Sequence, residues 1–240
     1  MEEKNVKAEV KTEKKSKNST SITVKPNKKG KHVIKFLNFM RCLIIPPFYL
    51  VKPFRYYGDK KIPDGGCIFI LNHYNMLDPV YAAALTWEGI HFIAKKSLFE
   101  TPVVGFAMKK AKAISVNRDG NDARSLLDCF KCLKNGEKIC IFPEGTRNKT
   151  DEEMLPFHSG AAVMAIKCKV PIMPIVIYKK PKFFRCAHIL LGEPIDLSEY
   201  YGRKLTEEEL AQVDERLRQH MIEMKRAHTE YLESKKNRKA

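Results

Sequence analysis

The chain has 240 residues, 44% of them hydrophobic and 30% charged, and its formal net charge is +16. This length is enough for one domain with a hydrophobic core and marginal for two. The seven cysteines are an odd set with no disulfide framework, which is consistent with a reducing compartment. No Gly-x-Ser-x-Gly elbow, Walker loop or His-Glu-x-x-His motif occurs, so neither a serine acyl-enzyme nor an NTPase is supported.

The basic charge is concentrated at the N-terminus. Residues 1–35 contain eleven lysines against four glutamates and few apolar side chains. Such a stretch buries too little surface to offset the entropy of ordering, so residues 1–29 are predicted to be a disordered basic tail. The tail suits any polyanion, and its charge does not distinguish an anionic membrane surface from nucleic acid.

An apolar segment over residues 33–51 follows the tail. It carries Lys35 and Arg41 and is interrupted by Pro46-Pro47, where we expect the helix to break. The part before the prolines would be only ~20 Å long as a helix, against a hydrocarbon core of ~30 Å. We therefore predict a membrane-dipping or interfacial helix pair, with both basic side chains reaching towards lipid headgroups. An imperfect membrane span and a core helix packed on the sheet are the alternatives.

From residue 66 onward, short apolar runs alternate with helical stretches. This alternation predicts an α/β fold with a mostly parallel sheet flanked by helices. We expect three regions, namely the tail over 1–29, a membrane-associating helical segment over 30–55 and a domain over 56–240. Predicted strands lie at 67–71, 91–94, 113–117, 138–142, 172–178 and 187–191, and predicted helices lie near 79–87, 99–111, 121–134 and 158–168.

Several element boundaries carry local signals. Asp78-Pro79 predicts a helix N-cap followed by proline at the first helical position, and Asn135-Gly136 predicts a helix stop. Thr206 and Glu209 form a capping box that opens a last helix. Apolar residues recur along that helix at helical spacing, which predicts that it packs on the domain: Leu210, Val213, Leu217, Met221 and Met224.

A histidine and a carboxylate follow the predicted strand 67–71. Neutral imidazole is suited to removing a proton near pH 7, and it works best when a second group fixes its tautomer. Asp78 lies five residues after His73 and is predicted to be that group if the chain turns between the strand and the helix. A helix cap alone would also require an aspartate before proline, so capping is the competing interpretation.

A second polar string follows the predicted strand 138–142. Gly145 permits a tight turn that exposes backbone N–H groups, and Arg147 adds a forked donor, so this loop suits a phosphate. Glu144 is predicted to hold the loop or an arginine in place. Arg118 follows another strand end and could converge on the same anion, although residues 117–120 also read as a plain turn. The two strings together indicate an enzyme that deprotonates a hydroxyl on a phosphate-bearing substrate.

Other cysteines and histidines are interpreted as structural. Cys129 and Cys132 form a Cys-x-x-Cys inside a helical stretch, with no second pair at zinc spacing, and are read as half-buried helix residues. His91, His158 and His188 have no partner at ligand spacing.

Four strings of the chain occur in the order of the glycerolipid acyltransferase motifs. His73-x4-Asp78 and Phe142–Arg147 resemble the first and third blocks, and Val170–Ile175 resembles the fourth. Ala113–Arg118 is similar to the second block, although Lys112 stands where that block commonly has glycine. The chain thereby resembles the lysophosphatidic acid acyltransferase type of this family from about residue 31 to about residue 225.

This resemblance implies a reaction and assigns residues to it. His73 and Asp78 would be catalytic, and the acceptor phosphate would be bound by Arg118, Glu144, Gly145, Thr146 and Arg147. A fatty acyl group would pass from acyl-CoA or acyl-carrier protein to 1-acyl-sn-glycerol-3-phosphate, giving phosphatidic acid. The scheme requires no metal and no organic cofactor. The resemblance implies an enzyme attached to the cytoplasmic face of a membrane, with the lipid surface as partner and no nucleic acid.

Two alternatives remain open from the sequence. The same blocks resemble acyltransferases that use glycerol-3-phosphate or another lysolipid. A non-catalytic basic protein that coats membrane or nucleic acid is the alternative from a different class, and its binding would depend on residues 1–35 and not on His73.

Overall fold

The computed structural model of the protein describes residues 30–117 and 123–238, so the tail predicted over 1–29 lies outside the described residues. The strands are β1 (Phe54–Tyr57), β2 (Cys67–Leu71), β3 (Ile90–Lys95), β4 (Ile114–Val116), β5 (Lys138–Ile141), β6 (Ile172–Ile177) and β7 (Ala187–Leu191). The helices are α1 (Gly30–Val51), α2 (Pro79–Leu85), α3 (Lys96–Phe99), α4 (Pro102–Lys110), α5 (Ala123–Lys134), α6 (Gly160–Cys168) and α7 (Glu207–Asn237), with a short 3-10 turn at Ser198–Tyr200.

The strands form one sheet in the order β1-β7-β6-β2-β5-β3-β4. The five strands from β6 to β4 are parallel to one another. β7 is antiparallel to β6, and β1 pairs in parallel with β7 at the sheet edge. The predicted α/β class with a mostly parallel sheet is therefore confirmed. Because β2 and β5 are adjacent and parallel, the loops that follow them leave the same edge of the sheet.

The two faces of the sheet bury two separate apolar clusters. Successive strand residues point to opposite faces, and in β2 Ile68 and Ile70 belong to one cluster while Phe69 and Leu71 belong to the other. Helices α5, α6 and α7 cover the first face, whereas α2 and Phe48 of α1 cover the second. All five residues of β2 are buried, as expected for a central strand covered on both sides.

Helix α1 continues through its two prolines, and the predicted break at Pro46-Pro47 is wrong. Prolines at these positions remove the donors that would bond the carbonyls of Cys42 and Leu43. Both of those residues are exposed, so solvent or another polar group can satisfy their carbonyls. Aromatic packing stabilises the last turn of α1, where the centroid of the Phe48 ring lies 5.4 Å from that of the Tyr81 ring. Within the described part of the chain, no helix has the length and apolarity needed to cross a bilayer.

The prediction that Arg41 reaches outwards from α1 is wrong. Its side chain is buried, and its guanidinium donates to the Glu88 carbonyl at 2.8 Å and to Asn38 Oδ1 at 2.5 Å. Burial lowers the pKa of this guanidinium. The residue therefore fastens α1 to the turn between α2 and β3, whereas Lys35 on the same helix is exposed.

Two further elements differ from the sequence prediction. The helix expected over 99–111 starts only at Pro102, as α4, because Thr101 precedes Pro102 and is extended, with φ −75° and ψ 135°. Phe99 instead ends the separate short helix α3. β1 was not predicted from the sequence. Its four residues are too few to show a strand period, and they acquire partners only through β7. The boundary predicted between residues 55 and 56 falls inside this strand.

The signals at the ends of α5 and α7 are confirmed. The Thr206 hydroxyl accepts from the Glu209 N–H, and the Glu209 carboxylate accepts from the Thr206 N–H, which completes the capping box. Gly136 ends α5 with φ +78°. The predicted apolar stripe of α7 packs into the first core cluster.

Candidate active site

The chain leaves the sheet after β2 through a clamped asparagine. The Asn72 side chain donates to the Ile177 carbonyl at 3.0 Å and accepts from the Ile177 N–H at 2.7 Å. This pair of bonds fixes the end of β2 to the end of β6. The next residue, His73, therefore starts from a rigid position at the carboxyl edge of the sheet.

His73 and Asp78 are in contact, as predicted. The Nδ1 atom of His73 lies 3.1 Å from Asp78 Oδ2, and the aspartate is 1% exposed while the imidazole is 18% exposed. A carboxylate at this nitrogen favours the tautomer with the proton on Nδ1. The Nε2 atom is then left with a lone pair, as a general base requires.

Asp78 organises the whole turn that carries His73. Besides contacting the imidazole, Oδ2 accepts from the backbone N–H groups of Tyr74 at 2.6 Å and Asn75 at 2.7 Å. The residue precedes α2 with Pro79 at the first helical position, but its side chain makes no capping hydrogen bond. The prediction that this side chain caps α2 is therefore wrong. The carboxylate turns back to the loop because two N–H groups and an imidazole face it there.

The loop after β5 is bonded to the loop after β2. The Glu144 carboxylate accepts from the His73 N–H at 2.7 Å and from the Leu155 N–H at 2.9 Å. The Asn148 N–H donates to the His73 carbonyl at 2.6 Å. The ring of Phe142 stacks on the imidazole with centroids 4.1 Å apart. The two predicted strings therefore form one unit around His73.

Burial shifts the pKa of the Glu144 carboxyl. The residue is 2% exposed, and burial raises its pKa above the ordinary value although the N–H donors of Leu155 and His73 act to lower it. Through its bonds to the His73 and Leu155 N–H groups, the enclosed Glu144 side chain positions the loop that carries His73. The interpretation that Glu144 holds its own loop agrees with these contacts, whereas direct contact with a substrate stays a prediction.

Gly145 occupies a position that only glycine fits. Its φ is +65°, and a Cβ there would lie 2.7 Å from Cδ2 of His158. Thr146 follows and lines the adjacent cavity, and Arg147 next to it is exposed. His158 lines the same cavity as His73, so the structure places near the site a histidine that sequence spacing had left as structural.

A cavity of about 1200 Å³ adjoins this unit. It is lined by His73 and the loop Phe142–Thr146 together with apolar side chains of α1, β3, α4 and α5, among them Leu37, Ile44, Phe92, Val104, Met108 and Leu126. His73 thus lies at a large space with mostly apolar walls. Such a space suits a hydrophobic chain whose reactive end reaches the imidazole.

Comparison with known proteins agrees with this geometry. Residues 53–178 match the family model described as Acyltransferase, and they make up just over half of the chain. The chain belongs to the acyltransferase family. The match covers both the His73–Asp78 turn and the Glu144 loop.

Relatives of this acyltransferase carry a common description. The 1-acyl-sn-glycerol-3-phosphate acyltransferase BAT2 of Brassica napus chloroplasts is 36% identical over 126 residues, covering 50% of this chain and 36% of that protein. The enzyme of that description from Helicobacter pylori is 38% identical over 122 residues, covering 50% and 52%. The chain thus spans between about a third and about a half of these two relatives. The Bacillus subtilis enzyme is 29% identical over 179 residues, covering 70% of this chain and 86% of that protein.

A solved structure shares the fold of this acyltransferase. The crystal structure of the 1-acyl-sn-glycerophosphate (LPA) acyltransferase PlsC from Thermotoga maritima matches with a TM-score of 0.58 and 26% identity. The match covers 81% of this chain and 79% of that chain. The α/β architecture is therefore that of a known acyltransferase.

The remaining motif residues of this acyltransferase are placed as follows. Arg118 lies outside the described residues, although Asn117 immediately before it lines the cavity. Lys112 has φ +49°, a left-handed conformation that favours glycine. The fourth block supplies the first four residues of β6, a strand that is buried throughout and has Pro174 paired opposite Ile70. These contacts fit the interpretation that the block shapes the strand.

Sequence reasoning missed a contact from the far end of the chain. Lys225 of α7 is buried, and its Nζ donates to the Glu153 carbonyl at 2.9 Å and to the Tyr74 hydroxyl at 3.3 Å. Burial lowers the pKa of this ammonium. A lysine next to the apolar stripe of α7 was the available signal, but nothing local identifies a partner 151 residues away.

Proposed function

We propose that this acyltransferase moves a fatty acyl group from acyl-CoA or acyl-carrier protein to the free hydroxyl of 1-acyl-sn-glycerol-3-phosphate, giving phosphatidic acid. One observation carries the proposal. A histidine whose Nδ1 contacts a buried aspartate lies in the wall of a large apolar cavity. The descriptions of the relatives support the choice of acceptor.

The proposed reaction is a direct transfer. Nε2 of His73 removes the proton from the acceptor hydroxyl while its oxygen attacks the thioester carbonyl. The tetrahedral intermediate then expels the thiolate, which takes up the proton held by His73 and leaves as free thiol. Asp78 stabilises the imidazolium between these steps. In this scheme the protein needs neither a metal nor an organic cofactor.

Acceptor binding is proposed for the loop after β5. The exposed Arg147 follows the turn at Gly145, and its forked guanidinium can hold a phosphate through two bonds. Arg118, Glu144 and Thr146 complete the proposed set. Since Glu144 is bonded to two backbone amides, its contribution would be to fix the loop.

We further propose that the enzyme attaches to the cytoplasmic face of a membrane through the outer surface of α1. Phe39, Leu43 and Leu50 on this helix are 63%, 59% and 76% exposed. Phe183 and Phe184 extend the same surface, because the Phe184 N–H donates to the Val51 carbonyl at 2.8 Å. Exposed apolar surface of this extent favours contact with lipid.

A thiol-release assay on the full chain across acceptors tests the reaction. We expect release with lysophosphatidate to exceed that with glycerol-3-phosphate, lysophosphatidylcholine or water. If release is highest with glycerol-3-phosphate or another lysolipid, that compound is the acceptor instead of lysophosphatidate. No release with any acceptor, together with membrane or nucleic-acid binding that depends on residues 1–35, would favour the non-catalytic alternative.

A further inference from the structure

Away from the active site, three side chains with metal-ligating atoms meet at the junction of β3, α5 and β5. They are His91, Cys132 and Glu137, and their ligand atoms all lie within 4.8 Å of one another. His91 is buried, and the other two are partly buried. The cluster lines a cavity of about 910 Å³, so solvent has a route to it. None of the three takes part in the proposed acyl transfer.

The end of α5 brings two of the three side chains together. The Glu137 N–H donates to the Cys132 carbonyl at 3.0 Å, and the Gly136 N–H donates to the Leu133 carbonyl at 3.0 Å. These two bonds and the left-handed Gly136 form a Schellman motif. In that motif the side chains at the positions of Cys132 and Glu137 commonly make an apolar contact. Here the pair is a thiol and a carboxylate, which are both metal ligands.

His91 faces oxygen acceptors with both ring nitrogens. Nδ1 lies 2.9 Å from the Lys112 carbonyl, and Nε2 lies 3.1 Å from Glu137 Oε2. An imidazole so placed must carry a proton on each nitrogen, or a proton on Nδ1 and a cation on Nε2. The second arrangement is how a metal-ligating histidine is usually oriented, with its other N–H donated to a backbone carbonyl. Lys112 adopts an unfavourable φ of +49° in the turn that presents this carbonyl.

We propose that His91 Nε2, Cys132 Sγ and Glu137 form a site for a zinc-like divalent ion, with water from the cavity as fourth ligand. One nitrogen, one thiolate and one carboxylate suit Zn²⁺, which takes four ligands at about 2.0–2.3 Å. On binding, the ion displaces the protons of Nε2 and Sγ to solvent. It joins β3 to the end of α5 and to the loop that leads into β5, so its role is to stabilise this side of the sheet.

Metal titration of the full chain, stripped with a chelator, tests the site. We expect one equivalent of Zn²⁺ to bind with Kd on the order of 1 μM or tighter, and to raise the unfolding temperature. Co²⁺ should give a thiolate-to-metal charge-transfer absorption, together with ligand-field bands of the intensity that a four-coordinate ion shows. Cys132→Ser should abolish that absorption and weaken Zn²⁺ binding about 10–100-fold or more, and Glu137→Gln should weaken binding comparably.

Matched controls separate the site from adventitious binding. Cys186→Ser removes an exposed thiol outside the cluster, and Asp128→Asn removes a carboxylate that lines the same cavity. Both should bind Zn²⁺ like the unaltered chain. The proposal is overturned if the unaltered chain binds no equivalent of Zn²⁺, or if Cys132→Ser binds as tightly as Cys186→Ser. Because the readouts are binding and thermal stability, this result is independent of whether the protein transfers acyl groups.

Discussion

At the residue scale, the position of His73 gives the sharpest prediction. A positioned general base contributes ~10²–10⁴-fold to turnover, so His73→Ala should slow thiol release by at least about two decades. The imidazole lies at the wall of a cavity, so its removal should leave the fold and any membrane attachment intact. His220→Ala on α7, which lies outside the cavity lining, is the matched control and should keep full activity. Near-normal release by His73→Ala would exclude the proposed mechanism.

Asp78 offers a test that separates charge from structure. Asp78→Asn keeps an oxygen for the Tyr74 and Asn75 amides but loses the charge that stabilises imidazolium, so turnover should fall at least about tenfold while the fold is retained. Asp78→Ala should also lose about 1–3 kcal/mol of unfolding free energy, because two N–H groups lose their acceptor. Turnover and chemical denaturation measure the two effects. A fully active Asp78→Asn protein would reduce the residue to a structural role.

Arg147 tests acceptor binding. Arg147→Lys keeps the positive charge but loses the forked geometry. KM for lysophosphatidate should therefore rise on the order of tenfold, with little change in KM for the acyl donor. Both KM values come from thiol release with one substrate varied at a time. Equal changes for donor and acceptor would indicate a folding role. Arg118→Ala should behave in the same way.

The sequence indicated the contact between His73 and Asp78 but not its surroundings. His73 and Asp78 lie five residues apart, so one turn brings them together, and strand ends mark where such a turn is functional. The bond from His73 to Glu144 depends instead on β2 and β5 being neighbours, which no local pattern specifies. Asp78 looked like a helix cap because capping needs only a nearby N–H, whereas the loop offered it two N–H groups and an imidazole.

At the scale of elements, α1 carries the prediction for membrane attachment. Leu43 and Leu50 point outwards, so Leu43→Glu with Leu50→Glu should release the protein from membranes without unfolding it. The unaltered chain should stay on membranes washed at about 1 M salt, where charges are screened beyond ~3 Å. Sedimentation of membrane fractions measures both. Ala211→Glu with Ala227→Glu, which adds the same charge to α7, should leave attachment unchanged, and complete release by salt alone would contradict hydrophobic attachment.

The strands were more predictable than the first helix. β2 is a continuous apolar run, and its predicted and observed limits coincide. Buried strands show such runs because both faces are covered. The path of α1 could not be read from its prolines, since its last turn is stabilised by contacts of Phe48 with residues of α2 and β1. Arg41 was likewise predicted to be a surface cation, because its partner, the Glu88 carbonyl, is 47 residues away in the sequence.

At the scale of the whole molecule, α7 is joined to the antiparallel strand β7 through a histidine pair. His188 Nδ1 and His228 Nε2 are 2.8 Å apart, and rings of Tyr57 and Tyr178 surround them. Burial lowers the pKa of both imidazoles, and for His188 the nearby cations Arg55 and Lys179 add to the effect. Both shifts favour the neutral form of the pair in the folded protein.

This pair predicts how stability depends on pH. Since both folded-state pKa values lie below the unfolded value of about 6.5, the unfolded chain binds more protons as the pH falls through that value. The contribution of this pair to the unfolding free energy should therefore fall from about pH 7.5 to about pH 5.5, whereas His91, whose pKa is raised to about 10, contributes in the opposite direction. His228→Gln keeps an amide beside His188 but removes one titrating group, so its loss of stability over the same range should be smaller. An equal loss in both proteins, measured by denaturant titration, would assign the dependence to other groups.

The pairing of β1 with β7 also governs the order in which the chain can fold during synthesis. Phe54 finds its partner in Ala187, which is translated about 130 residues later, or on the order of ten seconds at ribosomal speeds. Throughout that interval α1 and β1 have left the ribosome without the strand that completes their edge of the sheet. A nascent chain would thus present the apolar surface of α1 to lipid or to a chaperone before the sheet is complete. Attachment could then precede folding, with the bilayer already in place when the last strand closes the sheet.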